Sequence, residues 1–147
     1  MTGPLLLRHR LQVRFSDCDP LGHVNNAKYL TYLEQARLVL WRGQIGSWAR
    51  LRPDGKRGEG FILARVEVDF RAQARDGDEL EVRLALGRFG RTSATYEYEV
   101  ADVATGVLVA KAQTVQVWFD YDAGTPVPLT EETKHKLSVP VQTTDGS

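Results

Sequence analysis

The hydropathy of this chain has one long stretch of helical period followed by a long stretch of period two, and that change restricts what it can fold into. Tyr29, Leu33, Ala36 and Leu40, with Leu30 and Trp41 beside them, recur at helical spacing. Ile45 and Trp48 continue the series, so a helix of about five turns is expected, centred on residues about 27–45. Beyond the charged, glycine-rich RLRPDGKRGEG the period becomes two. Val66, Val68 and Phe70 alternate with Glu67 and Asp69, and Leu80, Val82, Leu84 and Leu86 with Glu81 and Arg83. Ala94, Tyr96, Tyr98 and Val100 alternate with Thr95, Glu97 and Glu99, and residues 107–119 form a long β-branched run. The joints RDGDE, GRFGRT and DVATG are short and turn-rich, so these strands should pair mainly antiparallel. Leu11, Val13 and Phe15 alternate with Gln12 and Arg14 and read as an earlier strand with one buried face.

The expected class is therefore α+β: an antiparallel sheet of about five strands on one long helix, residues 1–147 forming a single domain. A short helix over 130–137 has Thr130 as its N-cap, with Thr133 where a capping-box acid would stand, so that cap reads as weak. The tail after about residue 140 reads as frayed. One helix covers only one face of such a sheet, which points to a homodimer or homotetramer.

Charge narrows the partners. Lys+Arg and Asp+Glu both number 19, so no global field favours nucleic acid or an anionic membrane. An anionic ligand would have to meet a local basic cluster. Cys18 is the single cysteine, which excludes an intrachain disulfide and suits a reducing compartment. MTGPLLLRHR lacks a cleavage-site pattern and no apolar run approaches a membrane span, so the expected location is cytoplasmic.

The stretch that carries chemistry is VRFSDCDPLGHVNNAKYLTYLEQAR, residues 13–37. A strand delivers Asp17 and Asp19 into a turn, His23 follows four residues after Asp19, and two asparagines stand where the helix begins. Asn is a preferred N-cap, and a helix start offers unpaired N–H groups and partial positive charge to a developing oxyanion. A carboxylate, an imidazole and such a helix end suit attack on an activated carbonyl. Spacing alone does not name the reaction.

The segment Asp17-Cys18-Asp19-Pro20-Leu21-Gly22-His23-Val24-Asn25-Asn26-Ala27-Lys28-Tyr29 resembles the signature of the hotdog-fold 4-hydroxybenzoyl-CoA thioesterase and acyl-CoA thioesterase families, D-x-D-x-x-G followed by H-V-N-N-x-x-Y. EVDFRAQARDGDELEVR and FGRTSATYEYEV are similar to the family's second to fourth strands, and the likeness spans residues about 10 to 120. The resemblance implies a hotdog fold, dimers that share one continuous sheet, active sites at the dimer interface, and hydrolysis of an acyl-CoA without metal or cofactor. It also implies Asp19 as the catalytic carboxylate, Asn26 N–H as the oxyanion donor, and Glu34 facing the acyl pocket. Leu21 stands where a related acyl-carrier-protein branch has Asn, which argues for coenzyme A rather than a carrier protein.

Beside each of these roles stands a plainer one. Asp17 reads as structural, bonding turn amides. His23 either orients the thioester or a water, or is a satisfied loop histidine. Cys18 should face away from both aspartates and lacks a histidine to activate it. Glu34 either lines the pocket or pairs with Arg37 on the helix. Tyr29 belongs to the core and to the pocket floor. Arg71, Arg75, Arg88 and Arg91 lie at strand ends and are candidates for the phosphates of coenzyme A, with Arg71 and Arg91 preferred. Two other readings share the fold. A hydratase would have its His five residues after the Asp and Asn at position 21; a non-catalytic acyl-CoA-binding protein would not need Asp19.

Overall fold

Alternation of buried and exposed side chains builds the strands, and one exposed turn residue after another joins them. The computed structural model describes residues 1–46 and 54–142. In chain order these form β1 (Leu5–Gln12), a 3₁₀ turn (Phe15–Asp17), α1 (Asn26–Ile45), β2 (Glu59–Phe70), β3 (Glu79–Phe89), β4 (Ser93–Asp102), β5 (Leu108–Asp120), β6 (Thr125–Pro126) and α2 (Glu131–Leu137). The sheet is antiparallel throughout, ordered β1-β3-β4-β5-β2, with β6 appended to β5. β2 is thus an edge strand although it precedes β3 in sequence.

The helix lies on one face of this sheet. Leu33, Ala36 and Leu40 are buried on α1, and Leu80, Val82, Leu84, Tyr96, Tyr98 and Val100 are buried on β3 and β4. Burying each large apolar side chain stabilises by roughly 1.5–3 kcal/mol. Two polar clasps tie helix to sheet: Trp41 Nε1 donates to Tyr96 Oη at 3.0 Å and Arg37 donates to Tyr98 Oη at 3.2 Å. Trp41 also stacks on Phe61 of β2, ring centroids 5.1 Å apart, and Phe61 meets Trp118 of β5 edge-on.

Three expectations need correction. β1 does not run through Phe15: Asp17 Oδ2 accepts the Arg14 N–H at 3.0 Å, closing a 3₁₀ turn that leaves Phe15 82% exposed. Val13 instead bonds the turn before β3, donating to Asp78 O and accepting from Gly77 N. The helix ends at Ile45, as expected, because Gly46 takes the left-handed conformation, φ 82°; Trp48 lies outside the described residues. β2 begins at Glu59, inside the stretch expected to be loop. Residues just past Pro140 are tied down: Val141 N donates to Leu6 O, and the Val141 side chain packs where a Cβ on Gly43 would sit, at 2.7–2.8 Å. Only glycine fits α1 at that contact. The Thr130 cap forms as expected, its hydroxyl accepting from Thr133 N at 3.1 Å without a reciprocal acid.

Candidate active site

The turn between β1 and α1 is built around Asp17. Its carboxylate is 1% exposed and accepts from Arg14 N at 3.0 Å, Arg14 Nη2 at 3.1 Å and Tyr32 Oη at 2.8 Å. Burial pushes its pKa up, but these donors outweigh burial and hold it below the ordinary carboxylate value. The same contact, with burial, drives the Tyr32 phenol strongly upward. Asp17 carries the structural role, anchoring the turn to the first turns of α1. Its carbonyl accepts Asn25 N at 2.9 Å, which sets the residue before the helix.

Asp19 is held differently. Its Oδ1 accepts Leu21 N at 2.9 Å, while Oδ2 stands 3.9 Å from His23 Nδ1, too far for a direct hydrogen bond. The two backbones close the turn, Asp19 N donating to His23 O and Gly22 N to Asp19 O. Both side chains are 23% exposed, so one carboxylate oxygen is anchored and the other faces an imidazole and solvent. Asn25 caps α1 through Oδ1, which accepts Ala27 N at 3.0 Å. Lys28 N donates to Asn25 O, and among the described residues Asn26 N–H donates to nothing. An unpaired amide therefore opens the helix beside the Asp19–His23 pair.

A cleft of about 270 Å³ lies at this helix start, lined by His23, Asn26, Tyr29, Phe70, Arg71 and Gln73 among others. The β2–β3 turn forms its far wall because Val24 N donates to Ala74 O at 2.8 Å. Tyr29 also bonds the Ala74 backbone and meets Phe70 edge-on at 5.4 Å; burial raises its phenol pKa. Larger depressions, about 390 Å³ and 620 Å³, lie at the β1 edge and over the outer sheet face. Neither holds an imidazole at a helix start; the smaller cleft does, and Asp19 adjoins it through His23, so chemistry and not volume locates the site.

The structure brings Asp19, His23, Asn26, Tyr29 and Arg71 to one end of the molecule. Arg75 is exposed on the adjoining turn, its N–H on Asp78. Arg91 is not part of that group within one chain. It precedes β4, and Ser93 pairs with Val117, whereas Phe70 at the cleft is level with Ala110 and Val100. That separates them by roughly 23 Å along the strand at 3.2–3.4 Å per residue. Arg88, level with Thr95 toward the same end, is roughly 17 Å from that row at 3.2–3.4 Å per residue. Glu34 is exposed and does not pair with Arg37, whose guanidinium turns inward to Tyr98. The Cys18 thiol donates weakly to Arg14 O at 3.8 Å, which gives it no activating partner. Sequence reasoning missed Phe70, Ala72 and Gln73 as walls of the cleft. Phe70 was readable as a residue on the helix-facing side of β2, but only the packing of the β2–β3 turn against Val24 brings it to the site.

Among the described residues no cluster of His, Cys, Asp and Glu is arranged to hold a metal, and no helix is long and apolar enough to cross a membrane.

Residues 13–137 match the family model of the thioesterase-like superfamily. The chain belongs to that superfamily. Its match covers the acidic turn, the helix and the four long strands that follow it. The long-chain acyl-CoA thioesterase FadM of Escherichia coli K12 is 26% identical over 135 residues, covering 89% of this chain and 96% of FadM. The acyl-CoA thioester hydrolase YbgC of Escherichia coli O6:H1 is 26% identical over 78% of this chain and 83% of its own length. Among solved structures, a Thermus thermophilus thioesterase complexed with coenzyme A and zinc is 36% identical, covers 92% of this chain and 98% of its own, and has a TM-score of 0.71. A 1,4-dihydroxy-2-naphthoyl-CoA thioesterase from Synechocystis, 23% identical with a TM-score of 0.76, covers 91% of this chain and 96% of its own and shares the fold. The hotdog architecture expected from sequence is the one observed, and the chain is a thioesterase of this superfamily.

Proposed function

We propose that this thioesterase hydrolyses acyl-CoA, with Asp19 as nucleophile or general base and Asn26 N–H as the oxyanion donor. One observation carries the reading: His23, whose Nδ1 stands 3.9 Å from the free oxygen of the anchored Asp19 carboxylate, shares a cleft with Asn26, a helix-start residue whose amide has no partner among the described residues. In the nucleophilic form, Asp19 Oδ2 bonds to the thioester carbon, the carbonyl electron pair moves to oxygen, and Asn26 N–H holds that oxygen. The intermediate collapses with cleavage of the carbon–sulfur bond. Coenzyme A leaves as thiolate, and water then hydrolyses the acyl-aspartyl anhydride. In the general-base form, Oδ2 takes a proton from water as the water oxygen attacks the same carbon. Leu21 N–H fixes Oδ1 in either case, and His23 orients the thioester or the water. Arg71, exposed at the cleft's edge, suits the phosphates of coenzyme A. Tyr29 forms the apolar floor and Glu34 faces the acyl group from the helix. Two copies joined through the β2 edge would bring Arg91 of one chain toward the cleft of the other. The names of FadM, YbgC and the coenzyme A complex support the substrate class.

The test is thiol release from acyl-CoAs of increasing length, with one aromatic acyl-CoA and one acyl-carrier-protein thioester. Asp19→Asn should lower kcat/KM by about 10²–10⁴. Unchanged turnover in a folded Asp19→Asn protein would overturn the assignment.

A further inference from the structure

The charged, glycine-rich segment before β2 takes no part in the site as one chain forms it. Asp122 Oδ1 and Oδ2 accept Arg57 N and Gly58 N at 2.9 Å each, and Asp54 Oδ1 accepts Lys56 N at 3.1 Å. Both carboxylates are thus engaged by backbone amides. The Lys56 and Arg57 side chains are exposed, and among the described residues neither has an acid partner. Two adjacent cations, fixed at the backbone and open at the tip, suit an anion from outside the chain. Within one chain they stand far from the cleft: β2 runs from Glu59 to Phe70, roughly 36 Å at about 3.3 Å per residue.

The unpaired edge of β2 changes that distance. Gly58 O accepts Tyr121 N, so Gly58, Gly60 and Ile62 turn their peptide groups toward β5, while Glu59, Phe61 and Leu63 turn theirs outward. A bulge between Leu63 and Arg65 shifts the alternation by one residue. Beyond it Arg71 N donates to Val109 O, so Val66, Val68 and Phe70 face outward. Two such edges run antiparallel about a two-fold axis, and the register that overlaps the whole strand sets outward groups against outward groups. Glu59 then meets the partner's Phe70, Phe61 the partner's Val68 and Leu63 the partner's Val66. Phe61 O already accepts Tyr121 Oη at 2.6 Å and keeps a second lone pair for that ladder. Carried three residues past each strand end, the same register brings the partner's Arg57 and the partner's Lys56 level with Ala72 and Gln73, which line the cleft. The separation is then one strand spacing, about 4.8 Å. Glu59, the nearest acid in that row, is turned to Trp118 Nε1 at 3.0 Å. Arg71 stands on the same rim, its side chain 51% exposed and 3.9 Å from Asp69.

We propose that the partner's Lys56 and the partner's Arg57 complete each active site by holding the phosphates of coenzyme A, so that one site is assembled from two copies of the chain. The inference rests on the hydrolytic site assigned above and adds the source of its phosphate contacts. The thioester lies at the helix start, and the pantetheine arm leads out past Ala72 and Gln73 to the rim. There the phosphates meet Arg71 from one chain and two cations from the other. Asp54 and Asp122 hold the backbone of that cationic segment, so its two side chains are presented from a fixed turn.

The test compares the acyl-CoA turned over fastest with the matching S-acyl-pantetheine, which carries no phosphate. In a Lys56→Gln/Arg57→Gln protein the KM for the acyl-CoA should rise about 3- to 30-fold with kcat nearly held, the loss of two exposed ion pairs. Added salt should narrow that difference from wild type. The KM for the S-acyl-pantetheine should not follow. Co-expressing this chain with an Asp19→Asn chain, each under its own tag, then tells the partner's cations from a chain's own. A purified mixed dimer has one site that joins the intact Asp19 of the first chain to the intact Lys56 and Arg57 of the second. Its residual activity should therefore show the wild-type KM. Cations that serve their own chain leave that dimer only the raised KM, which overturns the proposal. An unchanged KM in the double variant overturns it too, as does an equal rise for both substrates or a monomer with full turnover at assay concentration. If acyl-CoA is hydrolysed in an Asp19-dependent way while these results fail, only this inference falls. If the wild-type protein hydrolyses no CoA thioester, the parent assignment falls.

Discussion

Two aspartates separated by one residue do different work because of what surrounds each. Asp17 is enclosed by Arg14 and Tyr32, and Asp19 keeps one oxygen free. The structural part is testable through pH. The folded pKa of Asp17 lies below its ordinary value of 3.8, so folding favours the ionised form. Its contribution is fully present above that value and is lost as pH falls through the lower, folded one. The melting temperature should therefore drop on acidification below about pH 4. Asp17→Asn should lower it at neutral pH, by the loss of charged hydrogen bonds worth about 1.5–3 kcal/mol each, and should flatten part of the acid limb. Calorimetry from about pH 2 to about pH 7 checks this. An Asp17→Asn protein with unchanged melting at neutral pH would remove the structural role. The spacing of these two acids was legible in the sequence, and so was the turn-bonding part of Asp17. Arg37 was not: it was read as a surface partner of Glu34, because i,i+3 spacing shows neighbours on a helix but not which side chain the sheet draws inward. The neutral hydroxyls that draw it, Tyr98 and Thr114, come from strands more than sixty residues away.

At the scale of the helix, the cap geometry yields a cleaner test of the oxyanion donor than spacing alone allowed. Asn25 is the N-cap with φ −62° and ψ 133°, a conformation that a following proline favours. Asn26 is then the first helical residue, where proline is well tolerated and where the N–H it removes has no partner among the described residues. Asn26→Pro should fold with near-normal helicity and melting temperature yet lose about 10²–10³ in kcat. Ala27→Pro is a poor control, because Ala27 N–H makes the capping bond to Asn25 Oδ1. Asn25→Ala is the better companion: it should cost about 0.5–2 kcal/mol of stability. Circular dichroism and single-turnover thiol release separate the two effects. Full turnover in a folded Asn26→Pro protein would retire the helix-start amide, and His23 would become the next donor to test. The helix itself was readable from its 3.6-residue period. Its end was expected near residue 45 and falls there, where Gly46 stops α1 by its left-handed backbone.

At the scale of the whole molecule, the two sheet faces and two edges differ in what they leave open. The outer face carries a lattice of alternating charge, Arg8 with Glu81, Arg10 with Glu79 and Glu81, and Arg83 with Glu81 and Glu99. Such pairs are worth little each, but they suit water and not a second apolar layer. The β1 edge is partly occupied, Val141 donating to Leu6 O. Among the described residues β2 is the long edge without a neighbour on its far side, and it exposes Ile62, Leu63 and Phe70 at 42%, 46% and 47%. An unpaired edge of this length invites another strand, and pairing two identical edges about a two-fold axis satisfies both. The alternating pattern predicted an unfinished sheet, but strand order was beyond it: nothing in the residues of β2 says that it pairs with β5 and so ends at the margin. Light scattering at micromolar concentration should give a multiple of 16.5 kDa. Leu63→Asp places a charge on that edge at little cost to the chain's own core, since Leu63 is already exposed. It should weaken assembly and reduce thiol release in parallel, because Phe70 and Arg71 at the end of the same strand line the cleft at the start of α1. A wild-type protein that runs as a 16.5 kDa monomer with full turnover would separate the site from any partner.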